Sequence, residues 1–161
     1  TSTCLRNCFN FSLWTTPKAS MGYAPLIDLP LQAQIPEEYV ADPALRLKLY
    51  RRLADVRADA QVDELARELQ DRFGALPEQV ENLVYLLRLK VAASAARLEA
   101  IAVEDGRIVI KFGREDAALQ ARITLRFNGR VRAARDRAWI AGIGADVNWK
   151  EHLLEVVGTM G

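Results

Sequence analysis

The sequence predicts an α+β fold, in which a three-helix N-terminal part packs on a small, mainly antiparallel sheet with a C-terminal helix. Three observations carry this. Apolar residues recur at helical spacing between about 43 and 97. The period then shortens to two after Leu98, where a hairpin signal appears. A helical stripe returns at Trp149 and runs to Met160.

The first ordered pattern is L-I-D-L-P-L-Q-A-Q-I. Ile27, Leu29, Leu31, Ala33 and Ile35 alternate with Asp28, Pro30, Gln32 and Gln34. This period of two predicts a strand with one buried face. Pro30 has no amide donor, so the strand should lie at a sheet edge or be only loosely paired. Asp42-Pro43 then predicts a helix start, because a carboxylate caps free amides and proline tolerates the first helical position. Leu45, Leu49, Leu53 and Val56 form its stripe.

A second helix is predicted after Asp59, with Val62, Leu65, Leu69 and Phe73 inward and Gly74 as a left-handed stop. A third starts at Pro77 and runs through Val80, Leu83, Leu87 and Val91 to about Arg97. Such short connections make consecutive helices neighbours in space, hence a small bundle. Beyond it, L-E-A-I-A-V, the turn E-D-G and R-I-V-I-K-F predict a hairpin with Ile108, Ile110 and Phe112 on one face. Residues 115–122 fit a short helix, Asn128-Gly129 a tight turn, and V-R-A-A-R-D-R-A-W-I a strand region. Trp149, Leu153, Val156 and Met160 mark the last helix.

Residues 1–22 differ from the rest. They are rich in Ser, Thr and Asn and have no clear period, so they are read as a linker remnant or an expression-derived tail ending near Met21-Gly22. The folded unit is taken as 23–161, with helices over about 43–97 and the sheet and terminal helix over about 98–161. At 161 residues the chain is long enough to bury a sizeable core. Its 22 basic and 21 acidic residues nearly cancel, so no global electrostatic grip on nucleic acid is indicated.

Both cysteines, Cys4 and Cys8, lie in the tail, and His152 is the only histidine. That usage points to a reduced, cytosolic body and cannot supply the four ligands of a closed zinc site. No apolar run approaches the roughly 20 residues a bilayer crossing needs, and no signal peptide pattern opens the chain.

Catalytic motifs are missing. There is no G-x-x-x-x-G-K-[ST] loop, and Gly142 and Gly144 lack the third glycine of a dinucleotide fingerprint. His152 has no serine or cysteine near it in sequence. The carboxylate pairs Glu37-Glu38, Asp63-Glu64 and Glu115-Asp116 sit at expected helix starts, where the helix dipole favours acids. No cofactor or metal is expected, and the fragment is not read as an enzyme.

Two charge groupings stand out. Glu64, Glu68 and Asp71 form an acidic row near the end of the second helix. Acids in a last helical turn are mildly unfavourable, by roughly 0.3–1 kcal/mol, although Arg67 and Arg72 can compensate. Placement against local preference points to a contact with a basic partner surface. The second grouping is the arginine-rich stretch 114–137. If 122–135 form a hairpin, Arg122, Arg126, Arg130 and Arg132 share one face, while Ile123, Leu125, Phe127, Val131 and Ala133 point inward. Such a face would either contact nucleic acid or simply stay solvated and protect an edge. No aromatics interleave with these arginines as single-strand binders prefer.

The run I-P-E-E-Y-V-A-D-P-A-L-R-L-K-L-Y-R-R-L-A at 35–54 resembles the opening of the C-terminal domain of bacterial transcription-repair coupling factors. The likeness continues through D-E-L-A-R-E-L-Q-D-R-F-G-A-L-P-E-Q-V-E-N-L and L-L-R-L-K, within 63–90, and through D-G-R-I-V-I-K-F at 105–112. It is loose from 113 onward and absent from 1–22. The resemblance implies a parent that is a large cytoplasmic ATPase of bacteria. That parent would recognise stalled RNA polymerase, translocate on duplex DNA and recruit excision repair, with ATP and Mg2+ needed only by motor domains outside this chain.

The resemblance further implies a regulatory domain docked on the parent's own N-terminal, repair-helicase-like module. There it would mask the surface that recruits the damage-recognition subunit. The E-L-x-D-R-F-G segment contributes polar contacts to that clasp, and Glu68 and Asp71 match its acidic positions. Glu64 and Arg72 are grouped with them as an interdomain contact set. The alternative is an auxiliary DNA-contacting domain using 114–137.

Overall fold

The computed structural model describes residues 25–140 and 148–161. The tail 1–22 with its two cysteines, and the Gly142/Gly144 pair, lie outside the described residues. Ten elements follow in order: β1 (Leu26–Asp28), α1 (Pro43–Ala54), α2 (Asp59–Phe73), α3 (Glu78–Ala95), β2 (Ala100–Glu104), β3 (Arg107–Lys111), α4 (Ala117–Phe127), β4 (Val131–Ala133), β5 (Arg137–Ile140) and α5 (Trp149–Met160). The α+β class holds.

Local chemistry sets the helix starts. Asp42 Oδ1 accepts the Ala44 amide at 2.9 Å, with Pro43 in the first turn of α1. The Gln61 side chain turns back to accept from the Arg57 and Ala58 amides at 2.8 and 3.1 Å, closing the start of α2. Gly74 ends α2 with φ +89° and ψ −165°. That is a glycine-only conformation, but not the left-handed helical stop the sequence suggested.

The three helices bury one core, built from Leu49 and Leu53 of α1, Val62, Leu65 and Leu69 of α2, and Val80, Leu83 and Leu87 of α3. A second core lies between the sheet and α3, α4 and α5. It joins Leu86 and Leu89 to Ile101, Ile108, Ile110, Ile123 and Leu153. The long helix α3 therefore serves both cores with different faces, as its nearly all-round apolar surface requires. Arg88, on its solvent side, bridges to Asp59 and Asp63 at the start of α2.

The sheet order is β1-β2-β3-β5-β4. β1 pairs parallel with β2, and the other ladders are antiparallel. Asp105 and Gly106, at φ 51° and 73°, make the two-residue turn of the β2–β3 hairpin. The predicted edge strand is real but short. Only Leu26–Asp28 pair, and Pro30 follows the ladder's end. The alternation of burial continues along the extended chain to Ile35, whose amide donates to the Tyr50 hydroxyl at 2.7 Å.

One expectation fails. Residues 122–135 are not a hairpin, because α4 runs to Phe127 and only Val131–Ala133 are strand. Asp116 Oδ1 caps the Leu119 amide at 2.9 Å, and the good helix formers Ala117 to Arg122 carry the helix through Ile123 and Thr124. Asn128 adopts the left-handed conformation at φ 41° and ψ 51° as a helix C-cap, not a hairpin turn. Leu119 and Ile123, four apart, point into the core, whereas Leu125 is 84% exposed.

Candidate functional site

The apolar stripe of α2 fixes where its charges point. With Val62, Leu65 and Leu69 inward, Glu64, Arg67, Glu68 and Asp71 line an open depression along the outer side of the helix. The C-terminal end of that side is held firmly. The Tyr39 hydroxyl lies 2.9 Å from both the Leu69 and Gly74 carbonyls, and its ring packs against Phe73 with centroids 5.6 Å apart. The Arg72 guanidinium lies over the other ring of this cluster, 5.4 Å from the Phe73 centroid.

The four predicted contact residues divide into two kinds. Glu68 is half-buried and receives a two-pronged hydrogen bond from Arg52 of α1, at 2.9 and 2.8 Å, and a third from Arg72 at 3.1 Å. The Arg52 hydrogen bond, opposed by partial burial and aided by Arg72, holds the Glu68 carboxyl below the usual carboxylate range. Glu68 and Arg72 are therefore partners of each other and of Arg52, tying α1 to α2. Glu64 and Asp71, seven residues and two turns apart, are exposed and form no ion pair among the described residues. Asp71 is thus the open acid, not Glu68. Arg52, sixteen residues from Glu68, gave no local signal in the sequence.

The second predicted set is dispersed. Arg122 sits on α4 and donates to the Thr159 carbonyl at the end of α5. Arg126 occupies the last turn of α4. Arg132 belongs to β4 and Arg130 to the turn just before it, and together with Arg107, Gly129, Trp139 and Ile140 they line a depression of about 240 Å³. Arg114 and Arg135 make only long contacts to Asp116 and Glu115, at 3.9 and 4.0 Å. The four arginines do not form one face.

The sole histidine, His152, lies half-buried on α5. Among the described residues, no three His, Cys, Asp or Glu side chains converge as a metal site. No helix among them is long and apolar enough to cross a membrane.

Comparison with known proteins places this geometry. The model of the TRCF domain family matches residues 29–123, which include all of α2 and its acidic edge. The chain belongs to the TRCF domain family. Among relatives, the transcription-repair-coupling factor of Rickettsia bellii is 37% identical over 90 residues, covering 56% of this chain and 8% of that protein. The factor of Myxococcus xanthus is 33% identical over 120 residues, covering 73% and 10%. That of Mycobacterium tuberculosis is 41% identical over 92 residues, covering 49% and 8%.

The TRCF-domain chain therefore spans about a tenth or less of the length of these curated relatives. A solved crystal structure of the C-terminal domain of transcription-repair coupling factor superposes with a TM-score of 0.73 at 19% identity. It covers 88% of this chain and 92% of that one. This likeness establishes the α+β fold as that of the C-terminal TRCF domain. Arg130, Arg132 and Trp139 lie beyond the family match, which stops at Ile123.

Proposed function

We propose that this TRCF domain is a non-catalytic, autoinhibitory interaction module of a transcription-coupled repair translocase in the bacterial cytoplasm. It docks on the parent's N-terminal, repair-helicase-like module and masks recruitment of the excision-repair damage-recognition subunit. RNA polymerase, duplex DNA, ATP and Mg2+ belong to other parts of that parent. The reading rests on one observation: an acidic edge on α2, with Asp71 and Glu64 unpaired, backed by a helix end that Tyr39, Arg52 and Arg72 hold rigid. A rigid edge loses little side-chain and backbone freedom on docking, which favours binding to a complementary basic surface.

The mechanism is masking with a population shift. The docked form dominates while the motor is idle. A competing state is selected only when its ligands bind it better than they bind the docked form. The structure of the acidic edge determines which variants are informative. Glu68→Lys would expel Arg52 and Arg72 from their partner and disturb the helix pair, whereas Asp71→Lys with Glu64→Lys replaces no partner in those hydrogen bonds and removes only the attraction of Glu64 for Arg52.

The test is a titration of the full chain against the separately produced N-terminal module. The double reversal is expected to weaken association at least about tenfold, on the order of 1.4 kcal/mol, and to reduce its salt dependence. Unchanged affinity in a variant with an unchanged unfolding midpoint would overturn the reading.

A further inference from the structure

The sheet offers a second surface, which owes nothing to the acidic edge. Helices α3, α4 and α5 cover the side of the sheet bearing Ile101, Ile108, Ile110, Ala138 and Ile140. Side chains alternate along a strand, so Val109, Trp139 and Arg132, paired in register across β3, β5 and β4, turn to the opposite side. Arg107 precedes Val109 by two residues and Arg130 precedes Arg132 by two, which brings both to the same end of that side. There Arg107, Arg130 and Arg132 surround the half-buried indole of Trp139.

The charges at this end are unusual. Lys111 and Arg137, further along the same side, each have an acid, Glu104 at 2.7 Å and Asp136 at 3.0 Å. Glu104 stands opposite Arg107 in the β2–β3 register, yet its carboxylate is engaged by Lys111. Among the described residues, Arg107, Arg130 and Arg132 have no ion pair and no acid lines their depression. Three neighbouring guanidiniums repel one another unless an anion sits among them.

We propose that this end of the sheet binds single-stranded nucleic acid, with an unpaired base stacked on Trp139 and the adjoining phosphates held by Arg107, Arg130 and Arg132. An indole among unpaired arginines is the combination such strands require, because every base has a π-face and every nucleotide a phosphate. An acidic peptide would satisfy the arginines but leave the aromatic platform unused. A duplex would offer phosphates but keep its bases stacked internally. At about 240 Å³ the depression is smaller than the roughly 300–1,000 Å³ of sites that enclose small molecules. It fits one unit of a longer strand passing over the surface.

The experiment uses the full chain and labelled single strands of about 12 nucleotides, within the usual site size, as oligo-dT and oligo-U, beside a duplex of equal length. Single strands are expected to bind more tightly than the duplex, with a log K against log salt slope near −2 for three phosphates at about 0.7 each. The preferred strand, oligo-dT or oligo-U, identifies the source as DNA or RNA. Combining Arg107→Ala, Arg130→Ala and Arg132→Ala is expected to abolish most of that slope. Trp139→Leu should weaken binding about tenfold and Trp139→Phe much less, since a phenyl ring still stacks.

Because Trp139 stands opposite buried Val109, the arginine variants provide a readout on exposed positions should Trp139→Leu disturb the fold. Duplex binding as tight as single-strand binding, equal competition by polyglutamate, or an unchanged slope in the triple variant would each overturn the proposal. Double reversal of Glu64 and Asp71 should leave this binding in place, so its failure is separate from that of the docking function.

Discussion

The acidic edge of α2 and the basic end of the sheet follow opposite construction rules. On α2 the central acid is spent inside the molecule. Glu68 joins Arg52 and Arg72, and the outlying Glu64 and Asp71 remain open. On the sheet the inner basic groups are paired, through Glu104–Lys111 and Asp136–Arg137, and the outer three arginines remain open. One edge depends on side chains that also fasten α1 to α2. The other is displayed by strands whose positions the backbone ladder already fixes. Charge alone therefore does not mark the available contacts on either surface. The open charges are those left after internal pairing, and each surface can be altered at them without removing a hydrogen-bonding partner from its support.

The strongest test of this contrast is in the core beneath α2. Leu69 is 1% exposed, and its carbonyl meets the Tyr39 hydroxyl. Leu69→Ala is expected to cost about 2–5 kcal/mol, measured by urea unfolding, and to loosen the acidic edge with it. Arg132→Ala should stay within about 0.5 kcal/mol of the parent chain. Comparable losses would erase the distinction between a supported edge and a displayed one.

Next in size is the joint between α3 and α5 on the sheet side of the molecule. The Tyr85 hydroxyl of α3 donates to the Lys150 carbonyl of α5 at 2.8 Å, and its ring meets Trp149 edge-on at 6.4 Å. Burial pushes the Tyr85 phenol well above its ordinary value. The unfolded chain then loses this proton first, near pH 10. Its contribution to stability is full below that pH and declines as pH rises further, by at most about 1.4 kcal/mol per pH unit. Tyr85→Phe should remove this part of the alkaline decline in a pH series of unfolding midpoints.

Smaller effects sharpen the difference within α2 itself. Glu68→Gln should cost roughly 0.2–1 kcal/mol, the range of a surface ion pair. Because the folded-state carboxyl titrates below its unfolded value, the stabilisation is present above about pH 4.3 and disappears as pH falls through the depressed value. The same substitution should flatten the acid limb of the stability profile. Asp71→Lys should not destabilise the chain, because a base in the last turn of α2 suits the helix dipole where an acid opposes it. An Asp71 variant that destabilised as much as Glu68→Gln would mean that the two acids are not different in kind.

The helical part was legible in sequence because Leu49, Leu53, Val62, Leu65 and Leu69 repeat at a spacing only a helix can bury on one side. The stretch from Ile27 to Ile35 was legible in burial but not in pairing. An extended chain alternates its faces whether or not a neighbour completes the ladder, and Pro30 interrupts the amides. Ile123, Leu125 and Phe127 alternate by chance inside α4, and Asn128-Gly129 suits a helix C-cap as well as a hairpin turn. Local pattern could not separate these.

The acidic edge was legible as a row of residues but not as a division between used and open acids, since Arg52 reaches Glu68 from another helix. The approach of Trp139 to Arg107 and Arg132 was hidden more deeply. It depends on β5 inserting between β3 and β4, an order that no single segment specifies.

The most direct measurement crosses the two surfaces. Two variants, Glu64→Lys with Asp71→Lys, and Arg107→Ala with Arg130→Ala and Arg132→Ala, would each be titrated with the N-terminal module and with a single-stranded oligonucleotide. Each variant is expected to lose one ligand by about tenfold or more and to keep the other. Loss of the N-terminal module by the arginine variant, or its retention by the acid-reversed one, would contradict the assignment of docking to the α2 edge.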